Sequence, residues 1–270
     1  MKNLLIIGGG SMGSAIAEGI VNKTIISRSG ITIIEKNKTR INYLKKFRYV
    51  VSNNIIWALK KTRNNLDAII IAVKPQDIKD TLRSIGKEFP NNILVISIAA
   101  GIKIKYLASL LPQEQPIARV MPNTPCQVGE GMSVLAFNKH VSKSHKITVN
   151  KIFNSIGKTE MLDEKYFDLI GSLVGSGPAY FCYIIESLTE IAKRHNIKEN
   201  TARKLILQTA LGTLILLSKN KILPEELRKK VTSPKGITEA AINVFKKLKI
   251  NEIFYDGVKA AIYRSRELGK

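Results

Sequence analysis

Residues 4–20 read Leu4-Leu5-Ile6-Ile7, then Gly8-Gly9-Gly10-Ser11-Met12-Gly13, then Ser14-Ala15-Ile16-Ala17-Glu18-Gly19-Ile20. The apolar run has the look of a buried strand and the last stretch that of a helix. The glycines between them match G-x-G-x-x-G in the strand-to-helix context that gives this pattern its meaning. Gly8 would allow a tight turn, Gly10 the close approach of a pyrophosphate, and Gly13 the packing of helix on sheet. The helix N-terminus would face the phosphates.

Working outward, Ile31-Thr32-Ile33-Ile34 is a β-branched strand that ends at Glu35. An acidic residue about twenty positions past the glycine turn suits a free ribose 2′-hydroxyl and repels a 2′-phosphate, which favours NADH. Lys36, Asn37, Lys38 and Arg40 follow at once and offer the opposite chemistry, a cradle for phosphate. Ala68–Val73 and Ile93–Ile98 are uninterrupted apolar runs, the pattern of parallel strands covered on both faces. Lys74-Pro75 and Ala99-Ala100-Gly101 end them. Helical stretches at Asp77–Ile85 and Ile104–Leu111 alternate with these strands, which argues for a doubly wound, mostly parallel α/β sheet. Ile117–Val120 is a further strand, Met121-Pro122-Asn123-Thr124-Pro125 a rigid turn, and Gly131–Phe137 reads as the last strand. Ser142–Ser155 follows as a helix.

The 270 residues carry 43 Lys and Arg against 21 Asp and Glu, a formal charge of +22. The basic residues are scattered, as in Lys45-Lys46, Lys60-Lys61, Arg63 and Lys246-Lys247, and sit on polar helix faces. With abundant Ile and Asn, this is a compositional bias and not a nucleic-acid surface, which would need a clustered basic face. Cys126 and Cys182 have no ligand spacing, which fits a reducing compartment. His140, His145 and His195 have no metal partner at usable spacing, so no metal is expected. Leu205–Leu217 is too short and too mixed to span a bilayer, and a soluble, cytoplasmic protein is the expectation. Trp57 is expected to pack under the sheet.

Composition shifts near Leu162-Asp163-Glu164, dividing the chain into a dinucleotide-binding domain, 1–162, and an all-helical domain, 163–270. Ser176 is placed to cap, and Pro178 to open, a long helix from Ala179 to His195. Asn200–Lys219 is a second long helix, apolar on much of its surface, and Pro224 opens a third. Helices this apolar need partners, and a homodimer or larger oligomer would supply them. Val231-Thr232-Ser233-Pro234-Lys235-Gly236-Ile237-Thr238 leads into a helix whose free N–H groups make an anion site; a plainly capped helix would carry the same residues.

Several stretches taken together resemble pyrroline-5-carboxylate reductase: Gly8–Gly13, Ala72-Val73-Lys74-Pro75, Ser97–Gly101, Arg119–Pro125 with Gly131-Met132-Ser133, Gly175–Tyr180, Ser233–Thr238 and Arg264–Leu268. They cover essentially the whole chain in order. The resemblance implies a Rossmann-type domain followed by an all-helical dimerisation domain, and reduction of 1-pyrroline-5-carboxylate to L-proline with NAD(P)H. It implies that Thr238 bonds the ring nitrogen as the catalytic contact. Ser233, Gly236 and Ile237 would bind the carboxylate, and Glu164 would also face the substrate. Ile7, Gly8, Gly10, Ser11, Met12, Gly13, Glu35, Asn54, Ala72, Val73, Lys74, Pro75, Ala99, Ala100 and Asn123 would contact the cofactor. The family loop usually reads S-P-G-G-x-T; Lys235 replaces its first glycine, and Lys230 stands where an asparagine is often found. A β-hydroxyacid dehydrogenase shares the glycine turn but needs a lysine on the helix after its second glycine motif. Here Pro178-Ala179-Tyr180-Phe181-Cys182-Tyr183 holds none. A broader imine reductase would share the same turn and helices. A redox-sensing nucleotide-binding protein would share the turn but would add a clustered basic face and a recognition helix.

Overall fold

The computed structural model describes residues 1–62 and 65–268; Arg63 lies outside them. Strands β1 (Asn3–Ile7), β2 (Ile31–Ile34), β3 (Val50–Ser52), β4 (Leu66–Ile71), β5 (Leu94–Ser97), β6 (Ile117–Pro122), β7 (Gly131–Phe137) and β8 (Gly157–Met161) form one sheet in the order β3-β2-β1-β4-β5-β6-β7-β8. Every neighbouring pair is parallel except β6 with β7, which run antiparallel. The loop between those two strands is too short for a parallel crossover. The helices among the strands are α1 (Ser11–Asn22), α2 (Lys38–Lys46), α3 (Ile55–Thr62), α4 (Ile78–Ile85), α5 (Ile104–Leu110) and α6 (Lys143–Phe153).

The apolar strand runs feed two cores because successive side chains point to opposite faces. Leu4 and Ile6 pack with Ile16 and Ile20 of α1 and with Val149 and Phe153 of α6. Leu5 and Ile7 pack with Leu59 of α3, Leu82 of α4 and Leu107 of α5. The doubly wound sheet therefore stands as read from the sequence.

Three local expectations do not. Gly131–Phe137 is not the last strand, since Gly157–Met161 pairs beside it as β8. Lys158, Thr159 and Glu160 give β8 no apolar alternation, and polar side chains suit an exposed edge. Trp57 does not lie under the sheet: it is 43 % exposed on α3, with the Lys61 ammonium 5.0 Å from its ring centre. Ser176 caps nothing, because the chain is already helical through Gly171–Gly175, a π-helical turn, and the Ser176 hydroxyl bonds back to the Gly171 carbonyl.

The chain forms two compact units, Met1–Ser176 with the residues from Ala261 on, and Gly177–Ala260. The first also holds α7 (Phe167–Ile170). The second is built from α8 (Gly177–Arg194), α9 (Glu199–Asn220), α10 (Pro224–Lys230), α11 (Ile237–Lys247) and most of α12 (Ile250–Leu268). Of the 22 residues of α9, Ala202 alone is buried; Leu205 and Leu211 of that helix are exposed, as is Phe181 of α8. The helical run Glu164–Arg194 is 31 residues long and contains an 18-residue stretch with a mean hydropathy of 1.2, long and apolar enough by those measures to cross a membrane.

In the first unit, α1 is tied at its outer side by the Tyr49 hydroxyl, which donates to Glu18 at 2.8 Å, and by Arg28, which pairs with the same carboxylate at 3.0 Å. Burial, and then the Glu18 carboxylate, push the Tyr49 phenol from 10.0 up to about 12. A group whose pKa is raised in the folded state stabilises below its unfolded pKa and loses that contribution as pH climbs through the folded one. Tyr49→Phe should therefore flatten the fall in stability between pH 10.0 and about 12, as read by urea melts across that range.

Candidate active site

The glycine turn stands at the carboxyl end of β1. Gly8 has φ +110°, and a Cβ there would meet the Ala72 carbonyl oxygen at 2.5 Å. Its N–H donates to the Ile34 carbonyl at 2.8 Å, while the Ala72 N–H donates to Ile7 at 2.7 Å. A Cβ on Gly13 would overlap the Gly8 carbonyl oxygen, so this glycine lets α1 sit against the turn. Gly10 is different. Its φ of −66° suits any residue, and a Cβ there would meet nothing within 4 Å. Nothing in the described packing needs a glycine at this point, and the backbone there is open to approach. No side chain caps α1, which leaves its first N–H groups to an anion.

Two side chains from the β2 side hold the turn. Glu35 Oε2 accepts from the Gly9 N–H at 2.9 Å, and its Oε1 accepts from the N–H groups of Lys36 and Asn37 at 2.8 and 2.9 Å. Arg40 Nε donates to the Gly9 carbonyl at 2.7 Å and its terminal nitrogen to Ser14 Oγ at 2.6 Å. Arg40 is thus built into the turn and is no solvated charge, a role its place in a run of basic residues concealed.

Beside the turn lies a cleft of about 1130 Å³. That exceeds the roughly 300–1,000 Å³ of ordinary small-ligand sites, as an extended dinucleotide requires. Of the residues singled out from sequence, Ile7, Gly8, Gly10, Glu35, Asn54, Ala72, Val73 and Lys74 line it. Asn54 does so while its Oδ1 caps α3 through the Trp57 N–H at 2.9 Å. Asn53, Gln76, Asp77, Asp80, Thr81 and Ser84 line it too. They were missed because they belong to a short loop and the first turns of α4, which no motif marks. Ser11, Met12 and Gly13 form the first turn of α1, and Pro75 starts the turn into α4. Ala99, Ala100 and Asn123 follow the ends of β5 and β6 along the same sheet edge.

Glu164 is engaged within the first unit. Its Oε1 accepts from Arg119 at 2.9 Å and from the Ile104 N–H at 2.7 Å. Arg119 is 5 % exposed while the Glu164 side chain is 30 % exposed, so the pair is only part-buried and the charge that its loss would strand is the Arg119 guanidinium.

In the second unit, Gly236 is the N-cap of α11 and no side chain caps that helix. The Lys235 N–H donates to Glu239 Oε2 at 2.7 Å, and the Gly236 N–H to the Ser233 carbonyl at 3.0 Å. Lys235 sits at φ +59°, a left-handed conformation that favours glycine. Ile237 is 94 % exposed, and Thr238 lies exposed in the first helical turn.

Residues 164–268 match the family model for pyrroline-5-carboxylate reductase dimerisation, and residues 3–101 that for coenzyme F420-dependent NADP oxidoreductases. A pyrroline-5-carboxylate reductase of Synechocystis is 35 % identical over 266 residues, covering 98 % of this chain and 97 % of the relative. The chain belongs to the pyrroline-5-carboxylate reductase family. Two solved members have the same fold. The enzyme of Plasmodium falciparum, with NADP bound, gives a TM-score of 0.87 at 31 % identity, covering 99 % of this chain and 98 % of that one. That of Coxiella burnetii gives 0.88 at 31 % identity with the same coverage. As a reductase of this family the chain is an NAD(P)H-dependent oxidoreductase, and its glycine turn and cleft have the space and donors for that cofactor.

The three glycines should separate on substitution. Gly10→Ala is expected to cost less than about 1 kcal/mol of stability yet weaken NADH binding about tenfold or more. Gly13→Ala should instead destabilise the fold by about 2 kcal/mol or more. Urea melts and fluorescence titration with NADH check both. Unchanged NADH affinity in Gly10→Ala would remove the pyrophosphate from that spot.

Proposed function

We propose that the chain reduces 1-pyrroline-5-carboxylate to L-proline with NAD(P)H, the closing step of proline synthesis. The observation that carries this reading is the open approach at Gly10 beside an extended cleft, in a chain that aligns with the family over almost its whole length. When bound, the reduced nicotinamide supplies a hydride to the imine carbon. The protein's part is position and electrostatics. The α1 N-terminus and the glycine turn hold the pyrophosphate. In the second unit, the uncapped α11 N-terminus with Ser233, Gly236 and Ile237 binds the substrate carboxylate. The Thr238 hydroxyl orients the ring nitrogen, which takes a proton from solvent as the imine carbon receives the hydride and the C=N bond becomes a C–N single bond. Holding the reactants in contact accounts for several kcal/mol of barrier reduction, on the order of that seen in intramolecular reactions.

Within this reading NADH is the favoured cofactor. Glu35 stands on the cleft wall and accepts the N–H groups of Lys36 and Asn37, the donors that a 2′-phosphate would seek. The same carboxylate would repel that phosphate. We further propose that residues 163–270 act as the substrate-binding and dimerisation domain. Exposed apolar residues on α8 and α9, such as Phe181, Leu188, Leu205 and Leu211, then meet a second copy of the chain in a homodimer or larger oligomer. The reaction is a cytoplasmic one on a small molecule, with neither nucleic acid nor membrane as partner.

Loss of reduced-nicotinamide absorbance on adding 1-pyrroline-5-carboxylate, run in parallel with NADH and NADPH, tests the reaction and the preference together. Proline should appear as product, faster with NADH. Thr238→Ala should lower turnover about tenfold or more with NADH affinity nearly intact. A variant that turns over like the wild type would take Thr238 out of the mechanism.

A further inference from the structure

One face of β6 grips the segment that follows β8. In extended chain every second side chain shares a face, and Arg119, Met121 and Asn123 follow that spacing; Asn123 continues the strand with φ −115° and ψ 169°. Arg119 pairs with Glu164 at 2.9 Å, and its guanidinium lies 4.7 Å from the centre of the Phe167 ring. Met121 lies against Gly171, where an added Cβ would come within 3.3 Å of its sulfur. Asn123 Nδ2 donates to the Val174 carbonyl at 3.3 Å, and its Oδ1 accepts from the Met132 N–H at 2.8 Å.

The Asn123 contact has a cause in the sequence. In an α-helix the Val174 carbonyl would pair with the N–H of residue 178, but Pro178 has none. The turn is π-helical here, with the Ser176 N–H donating to Gly171 at 3.0 Å, and such turns gather at functional sites. Asn123 supplies the donor that Pro178 lacks. Both functional atoms of its amide are then engaged within the protein, as is Glu164 Oε1. Phe167, held under Arg119, is 2 % exposed and covers Val134 and Ala136 of β7.

We infer that Arg119, Met121 and Asn123 are positioning residues that splint the segment Glu164–Gly175 to the sheet, and that turnover depends on the splint. Glu164 then acts through Arg119 and not as a ligand of the substrate, and Asn123 acts through Val174 and Met132 and not as a contact of the cofactor. The inference rests on the function proposed above, since it takes the reaction to occur at the edge where β6 ends.

The test uses the full chain with Asn123→Ala, Glu164→Gln, Arg119→Lys and the double variant Arg119→Lys/Glu164→Gln. Each single change should lower kcat about tenfold, with NADH affinity and the KM for 1-pyrroline-5-carboxylate unchanged. The double variant should be no slower than the slower of its parents, because both remove one interaction. Trypsin should cut faster at Lys165, whose side chain is 66 % exposed, in every variant. A raised KM in Glu164→Gln, with Arg119→Lys and Asn123→Ala matching the wild type, would make Glu164 a substrate ligand and overturn the splint. Should the wild type fail to reduce the imine, the function proposed above fails. Cleavage at Lys165 then decides alone: unchanged rates in all variants overturn the splint, and faster cutting in all of them retains it as a support of that edge.

Discussion

Helix α1 comes so near the end of β1 that no side chain fits between Gly13 and the Gly8 carbonyl. The rest of the cofactor edge depends on that approach. It aims the uncapped end of α1 across the ends of β1 and β4, and it leaves the backbone at Gly10 bare. The turn is also gripped from both sides of one peptide: Glu35 takes the Gly9 N–H and Arg40 donates to the Gly9 carbonyl. Opposite charges on neighbouring elements thus set the turn before any cofactor arrives, and such preorganisation lowers the ordering cost of binding.

The +22 charge has two populations. Arg28, Arg40 and Arg119 are bound into hydrogen bonds and ion pairs that hold α1, the glycine turn and the β6 face. Most of the others are exposed and scattered over helices. Charge of this kind bears on solubility and long-range attraction of anions, and says little about fold.

The second unit shows the reverse problem. Its long helices present leucine, isoleucine and aromatic side chains that the single chain does not cover. Exposed apolar area on this scale marks an interaction surface, and the match of residues 164–268 to a dimerisation family agrees with the need for partners that periodicity alone had raised. The same apolar content lets Glu164–Arg194 pass as a membrane span by composition.

What the sequence determined by itself is everything local and repetitive. Strand and helix alternation, the glycine turn, the apolar strands buried on both faces and the long helices all follow from spacing of residues near one another in the chain. The edge strand β8 escaped because polar residues carry no alternation, and Trp57 because a single aromatic carries no periodicity. The tertiary structure alone decided the contacts across long separations. Arg40 reaches Ser14, Arg119 reaches Glu164, and Asn123 reaches Val174. Such pairings are set by which sheet edge and which face each strand end occupies. That is fixed by the packing of all eight strands together, and no window of neighbouring residues contains it.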